Sequence, residues 1–175
     1  MTIAEQQVAI ALGSNIGARD GFLAAAVSEI AALPDVRVSG TSTVSETVAV
    51  GPAQADYLNQ MLLITTTSSL GDVLEQLHAI EARHGRLRVM AKGPRTLDLD
   101  IVWASGTTIT TDTLLVPHPG LIDRPFWQRQ LAALIGEAAA FAAIAAAQIH
   151  RGMDTSRPYG QSSDRSLSPI KTSIA

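Results

Sequence analysis

The chain has 175 residues, of which 46% are hydrophobic and 17% charged, with a formal net charge of −3; that fits one globular domain with a proper core and excludes a general attraction to nucleic acid. Cysteine is absent, so disulfide frames and thiolate metal sites are excluded. No stretch reaches the roughly 20 apolar residues that a membrane span needs, and the N-terminus lacks a basic region followed by an apolar run, so a cytoplasmic protein with no membrane partner is expected.

Residues 8–12 form a short apolar strand that stops at the turn-forming triplet Gly13-Ser14-Asn15. Leu23, Val27, Ile30 and Leu33 recur at helical spacing over 20–33, and Pro34 ends the run. A strand is expected at about 36–46, a loop at 47–56, and a second long strand over 57–67, which is rich in β-branched and apolar residues. Ser69 with Asp72 three residues on opens a helix like a capping box, with Leu70, Val73, Leu74, Leu77 and Ile80 as its apolar stripe. An arginine-rich loop (84–94) leads into a strand from Asp98 to about Trp103, Gly106 turns the chain toward a pairing segment near 107–110, and a last helix starts near Arg124-Pro125 and includes Leu131, Leu134 and Ile135. This order predicts an α+β fold with a ferredoxin-like βαββαβ core, a mostly antiparallel sheet with helices packed on it. The domain is expected to cover residues 1–149. From His150 the composition turns to Ser, Arg, Gly and Pro, which reads as a flexible tail over 150–175.

Charge is concentrated in one place. Of 13 Lys and Arg, five (Arg83, Arg86, Arg88, Lys92, Arg95) lie within residues 83–95, immediately before Asp98 and Asp100. Alternate strand residues share a face about 6–7 Å apart, so the two carboxylates project together while Leu97, Leu99 and Ile101 face a core. Carboxylates that close need a compensating charge, and hard oxygen donors suit Mg²⁺. Arginines beside such a pair fit polyphosphate oxygens bidentately. The residues therefore point to magnesium-dependent phosphoryl transfer. A P-loop is excluded, because the Gly-Lys-Ser/Thr ending is missing after Gly13. Nucleotidyltransferases couple Gly-Ser to Asp-x-Asp within about a dozen residues, whereas Ser14 and Asp98 stand more than eighty apart. The strands also lack the aromatic platforms of an RNA-binding sheet.

Five blocks in this order resemble the 6-hydroxymethyl-7,8-dihydropterin pyrophosphokinases of folate biosynthesis. They are Leu12-Gly13-Ser14-Asn15; Val50-Gly51-Pro52 with Asp56-Tyr57-Leu58-Asn59; Glu81 with Gly85-Arg86-Leu87-Arg88; Gly93-Pro94-Arg95-Thr96-Leu97-Asp98-Leu99-Asp100; and Val116-Pro117-His118 with Arg124 and Phe126. The resemblance implies that Asp98 and Asp100 hold two Mg²⁺ ions bridging the phosphates of ATP, the co-substrate. It implies that Arg86 and Arg95 stabilise the transferred group, and that His78, Glu81, Arg88, Ile101, His118 and Arg124 lie around the nucleotide. The pterin would sit between Tyr57 and Phe126, read by Asn59, Thr47 and backbone near Val50. Both partners would be small molecules, with no nucleic acid and a monomeric enzyme. The chain departs from the family at Lys92, where an aromatic residue is usual.

Overall fold

The computed structural model describes residues 4–51, 53–85 and 94–153. In chain order it contains strand β1 (Gln6–Ser14), helix α1 (Arg19–Ala31), strands β2 (Val36–Thr41), β3 (Ser45–Thr47) and β4 (Tyr57–Thr66), helix α2 (Leu70–Arg83) and strand β5 (Asp98–Ala104). A small hairpin of β6 (Ile109–Thr110) and β7 (Leu115–Val116) follows, then a 3₁₀ turn (Pro119–Leu121) and helices α3 (Pro125–Ile135) and α4 (Glu137–Met153). The main sheet runs β2-β4-β1-β5, with β3 also paired to β4. All of these pairings are antiparallel. This is the ferredoxin-like α+β arrangement expected from the order of elements.

The central strand β1 is buried on both faces, and its residues alternate in size. Val8, Ile10 and Leu12 join Leu62, Ile64, Leu99 and Ile101 in a core closed by Leu23, Ile30, Val73, Leu77 and Ile80 of α1 and α2. On the other face Ala9 and Ala11 join Met61, Leu63 and Val102 beneath Trp127 and Leu131 of α3 and Ala140, Ala143 and Ala147 of α4. Burial on both sides explains why this strand reads as an unbroken apolar run. The cap expected for α2 is present: Asp72 N–H donates to Ser69 Oγ at 3.1 Å, and Ser69 Oγ–H donates to Asp72 Oδ2 at 2.7 Å.

Several expectations are corrected. β1 continues through Gly13 and Ser14, which were expected in a turn, because both pair with β4 and Gly13 also pairs with Asp98. The single strand expected over 36–46 is interrupted. Ser42 meets Met61 through its own N–H and through Oγ, which accepts the Met61 N–H, each at 2.8 Å, and pairing with β4 resumes in a new register at Ser45. Helix α4 was not expected, and it runs past the anticipated domain end at 149 to Met153; residues 154–175 of the expected tail lie outside the described residues. Gly136 joins α3 to α4 with φ +86°, a backbone conformation that side-chain-bearing residues avoid. Among the described residues, no helix is long and apolar enough to cross a membrane.

Candidate active site

The face of the sheet beneath α3 and α4 changes character along the strands. Its register rows read Leu63–Ala9–Trp103, then Met61–Ala11–Asp100, then Asn59–Gly13–Asp98. An apolar surface thus becomes a polar one within three rows, because side chains of period two stay on one face. A Cβ added at Gly13 would lie 3.6 Å from Tyr57 Cδ1, 3.7 Å from Asn59 Oδ1 and 3.9 Å from Asp98 Cβ. Those three side chains converge on the space that the glycine leaves open. Asn59 is buried, and its Nδ2 donates to Thr47 Oγ1 at 2.8 Å.

Two cations and a histidine surround the carboxylates. Arg95 Nη1 donates to Asp98 Oδ2 at 2.6 Å, and Arg124 Nη1 stands 4.0 Å from Asp100 Oδ2. Burial works against the Arg95 charge, but Asp98, Tyr57 and Asp100 outweigh it and raise its pKa. His118 N–H donates to Val102 O at 2.8 Å, which ties its loop to β5, and its Nδ1 accepts the Gly120 N–H at 2.9 Å. The neutral ring therefore carries its proton on Nε2. Burial lowers the His118 pKa; Asp100 opposes this, Arg124 adds to it and Asp98 opposes it again.

Trp127 organises this side of the site. Its ring meets His118 edge-on at 5.3 Å and Phe126 at 6.3 Å between centroids, and the Arg124 guanidinium carbon lies 4.0 Å from its centroid. The polar character of the α3 sequence has a structural reason. Gln128 Nε2 donates to the carbonyls of Leu121 and Ile122, while the buried Gln130 Nε2 reaches Thr43 O, Ser45 Oγ and Asn59 O.

Asn15 is the largest omission from the sequence reading, which gives it only a turn. Its Nδ2 donates to Gln54 Oε1 and Ala55 O, its Oδ1 accepts the Arg95 N–H at 2.7 Å, and its N–H donates to Arg95 O at 3.1 Å. One side chain thereby joins the loop before β4 to the segment carrying Arg95. Its place in the Gly13-Ser14-Asn15 block was visible, but its partners are 39 to 80 residues away.

Asp98, Asp100, Arg95, Arg124, His118, Tyr57, Asn59 and Thr47 thus gather on one end of the sheet, with Phe126 joined through Trp127. Glu81 is buried, and its Oε1 accepts the Leu99 N–H at 2.7 Å, so it fixes β5 between the two carboxylates. Ile101 packs its side chain into the α1/α2 core, away from the carboxylates, which leaves only its backbone for a ligand. His78 is exposed on α2, and Val50 is 77% exposed on the loop before β4. Arg86 and Arg88, with Lys92, lie outside the described residues.

The sequence model of the family described as 7,8-dihydro-6-hydroxymethylpterin-pyrophosphokinase matches residues 9–136. A 2-amino-4-hydroxy-6-hydroxymethyldihydropteridine pyrophosphokinase of Bacillus subtilis is 42% identical over 118 residues, covering 67% of this chain and 71% of that protein. The protein of the same name from Synechocystis is 36% identical over 117 residues, covering 67% of this chain and 60% of the relative. A folic acid synthesis protein of Pneumocystis carinii is 31% identical over 137 residues, 78% of this chain but 18% of that longer protein. The matched span runs from β1 to the end of α3 and includes the carboxylate strand, both arginines beside it and the aromatic cluster; the chain belongs to the 7,8-dihydro-6-hydroxymethylpterin-pyrophosphokinase family.

Proposed function

We propose that this chain transfers the pyrophosphoryl group of ATP to the hydroxymethyl group of 6-hydroxymethyl-7,8-dihydropterin, releasing AMP, as a step of folate biosynthesis. The observation that carries the reading is the convergence of Tyr57, Asn59 and Asp98 on Gly13. An aromatic ring and an amide suited to a flat polar heterocycle adjoin a carboxylate suited to phosphate chemistry.

The donor set fits magnesium. Asp98 and Asp100 are hard oxygen ligands on one face, and no cluster of three or more His, Cys, Asp or Glu that could hold a metal occurs among the described residues. That favours an ion held by one or two carboxylates with phosphate oxygens and water over a cage made entirely of protein. Held by Asp98 and Asp100, magnesium would neutralise phosphate charge and make the phosphorus a better electrophile.

The chain's own groups supply position and charge. Arg95, with Arg86, would hold the transferring group, where charge spreads over equatorial oxygens. Arg124, His118 through its Nε2–H, Glu81, His78, Arg88 and the backbone at Ile101 would surround the nucleotide. Tyr57 and Phe126 would sandwich the pterin, and Asn59, Thr47 and the backbone near Val50 would read its polar edge. The hydroxymethyl oxygen attacks the β-phosphorus as the bond from that phosphorus to the α–β bridging oxygen breaks. AMP leaves, and the hydroxyl proton passes to solvent. Asp98, Asp100, Arg95, Arg124, His118, Tyr57 and Asn59 meet within one copy of the chain, so a monomer is the proposed working unit.

The test is AMP formation from ATP, Mg²⁺ and the pterin, with a no-pterin control. Pterin-dependent AMP is expected. ADP instead would mean attack at the γ-phosphorus and would overturn the regiochemistry. Binding of both ligands without AMP would overturn the activity and leave a binding protein.

A further inference from the structure

Helix α4 begins at residue 137, just past the family match, which ends at 136, yet its last turn reaches the loops that carry two groups beside Asp100. His150 is buried, and its Nδ1 lies 3.1 Å from Pro117 O. A carbonyl only accepts, so Nδ1 carries a proton and donates, while Nε2 stands 3.3 Å from Thr110 Oγ1. The next residue, Arg151, forks onto Asp123 with Nη1–Oδ1 at 2.9 Å and Nη2–Oδ2 at 2.6 Å. Pro117 immediately precedes His118, and Asp123 immediately precedes Arg124. Two consecutive side chains of one helix end therefore tie down the residues just ahead of both groups, His150 through the Pro117 carbonyl and Arg151 through the Asp123 carboxylate.

We propose that the last turn of α4 is a positioning device for ATP, with His150 setting His118 and Arg151 setting Arg124. This rests on the reading that His118 and Arg124 meet the nucleotide. These bonds of His150 and Arg151 run to Thr110, Pro117 and Asp123, beside the nucleotide groups. Phe126, by contrast, is reached only at second hand through Trp127, so the effect falls on ATP ahead of the pterin. An Asn at 150 places an amide N–H where the imidazole Nδ1–H stands, whereas an Ala removes the donor to Pro117.

ATP affinity is measured by calorimetry in Mg²⁺ buffer, alongside the KM for each substrate and the melting temperature, for His118→Ala, His150→Ala, His150→Asn and Arg151→Ala. His150→Ala is expected to weaken ATP about three- to tenfold, the worth of one neutral hydrogen bond, with the pterin KM unchanged. His150→Asn should restore most of that loss. In a His118→Ala background, His150→Ala should add nothing further. If His118→Ala and His150→Ala both leave ATP affinity unchanged, the underlying reading of His118 is overturned. If His118→Ala weakens ATP and His150→Ala does not, or if ATP and pterin weaken together, the positioning role is overturned. Should His150→Ala fail to fold, the half-exposed Arg151→Ala decides through the same split, with about a two- to threefold loss for ATP alone expected from an exposed ion pair.

Discussion

The two faces of the sheet are made by the same strands and do opposite work. Toward α1 and α2, β1 offers Val8, Ile10 and Leu12, and the core that they join is built of aliphatic side chains. Toward α3 and α4 it offers Ala9, Ala11 and Gly13, and the shrinking side chains leave room first for Trp127 and Leu131, then for Asn59, Tyr57 and Asp98. Dense packing gives one face its stability, while the small residues of the other leave polar groups a place to converge. One face should therefore respond to substitution in stability and the other in catalysis.

The sharpest break is expected from the carboxylates. Asp98→Ala or Asp100→Ala should lower kcat by about 10²- to 10³-fold, the scale of losing a preorganised electrostatic group, with a small change in melting temperature. Ile10→Ala, one strand away on the aliphatic face, should do the reverse. Ile10 is fully buried, so its truncation costs about 2–5 kcal/mol of stability, and the folded fraction should keep its kcat. Unchanged magnesium-dependent turnover in either Asp variant would remove the carboxylates from the mechanism.

Arg95→Ala ranks next, with about a 10- to 100-fold loss expected mainly in kcat, because its contact should strengthen as charge develops on the transferring group. A pure KM effect for ATP would make it a ground-state binder. Gly13→Ala tests the comparison from the opposite side. The added Cβ meets its neighbours at 3.6 to 3.9 Å, ordinary contact distances, so the fold accommodates it, and stability should rise by up to about 1 kcal/mol through the unfolded chain. The same atom stands between Tyr57, Asn59 and Asp98, so the pterin KM should rise by about tenfold, the order expected for one misplaced methyl group in a fitted pocket. A stable variant with unchanged pterin KM would move the heterocycle elsewhere.

The legible and illegible parts divide on physical grounds. Asp98 and Asp100 could be placed because a period of two and a run of arginines are local signals. The ferredoxin-like order was readable for the same reason, since α2 carries its stripe and its cap in sequence. Helix α4 was hidden because Ala140, Ala143 and Ala147 are buried, while Phe141 at 75% and Ile149 at 61% exposure point outward. With three alanines fully on the inner face beside Ile144, and Phe141 and Ile149 on the outer one, hydrophobic periodicity does not mark the buried side. Asn15 was hidden for another reason. Its type suits a turn, and its three-way tie exists only once residues 54, 55 and 95 have been brought together. Trp127 and Gln130 likewise take their roles from partners on other elements.

The smallest effect concerns His118 and acidity. Burial holds its pKa below the ordinary value of 6.5, so in mild acid the unfolded chain takes up this proton before the folded one. Its contribution to stability is complete above about pH 6.5 and is lost as pH falls toward the folded pKa, with a slope of at most about 1.4 kcal/mol per pH unit. His118→Asn keeps a side-chain acceptor for the Gly120 N–H and removes the titration. The difference in unfolding free energy between wild type and this variant, measured by denaturant titration from pH 7.5 to 5, should therefore shrink as the solution is acidified. The other histidines are common to both proteins and cancel in that difference. A difference that instead grows on acidification would mean that Asp100 and Asp98 outweigh burial and hold the ring as a cation, and the nucleotide would then meet a positive charge in place of a neutral N–H donor.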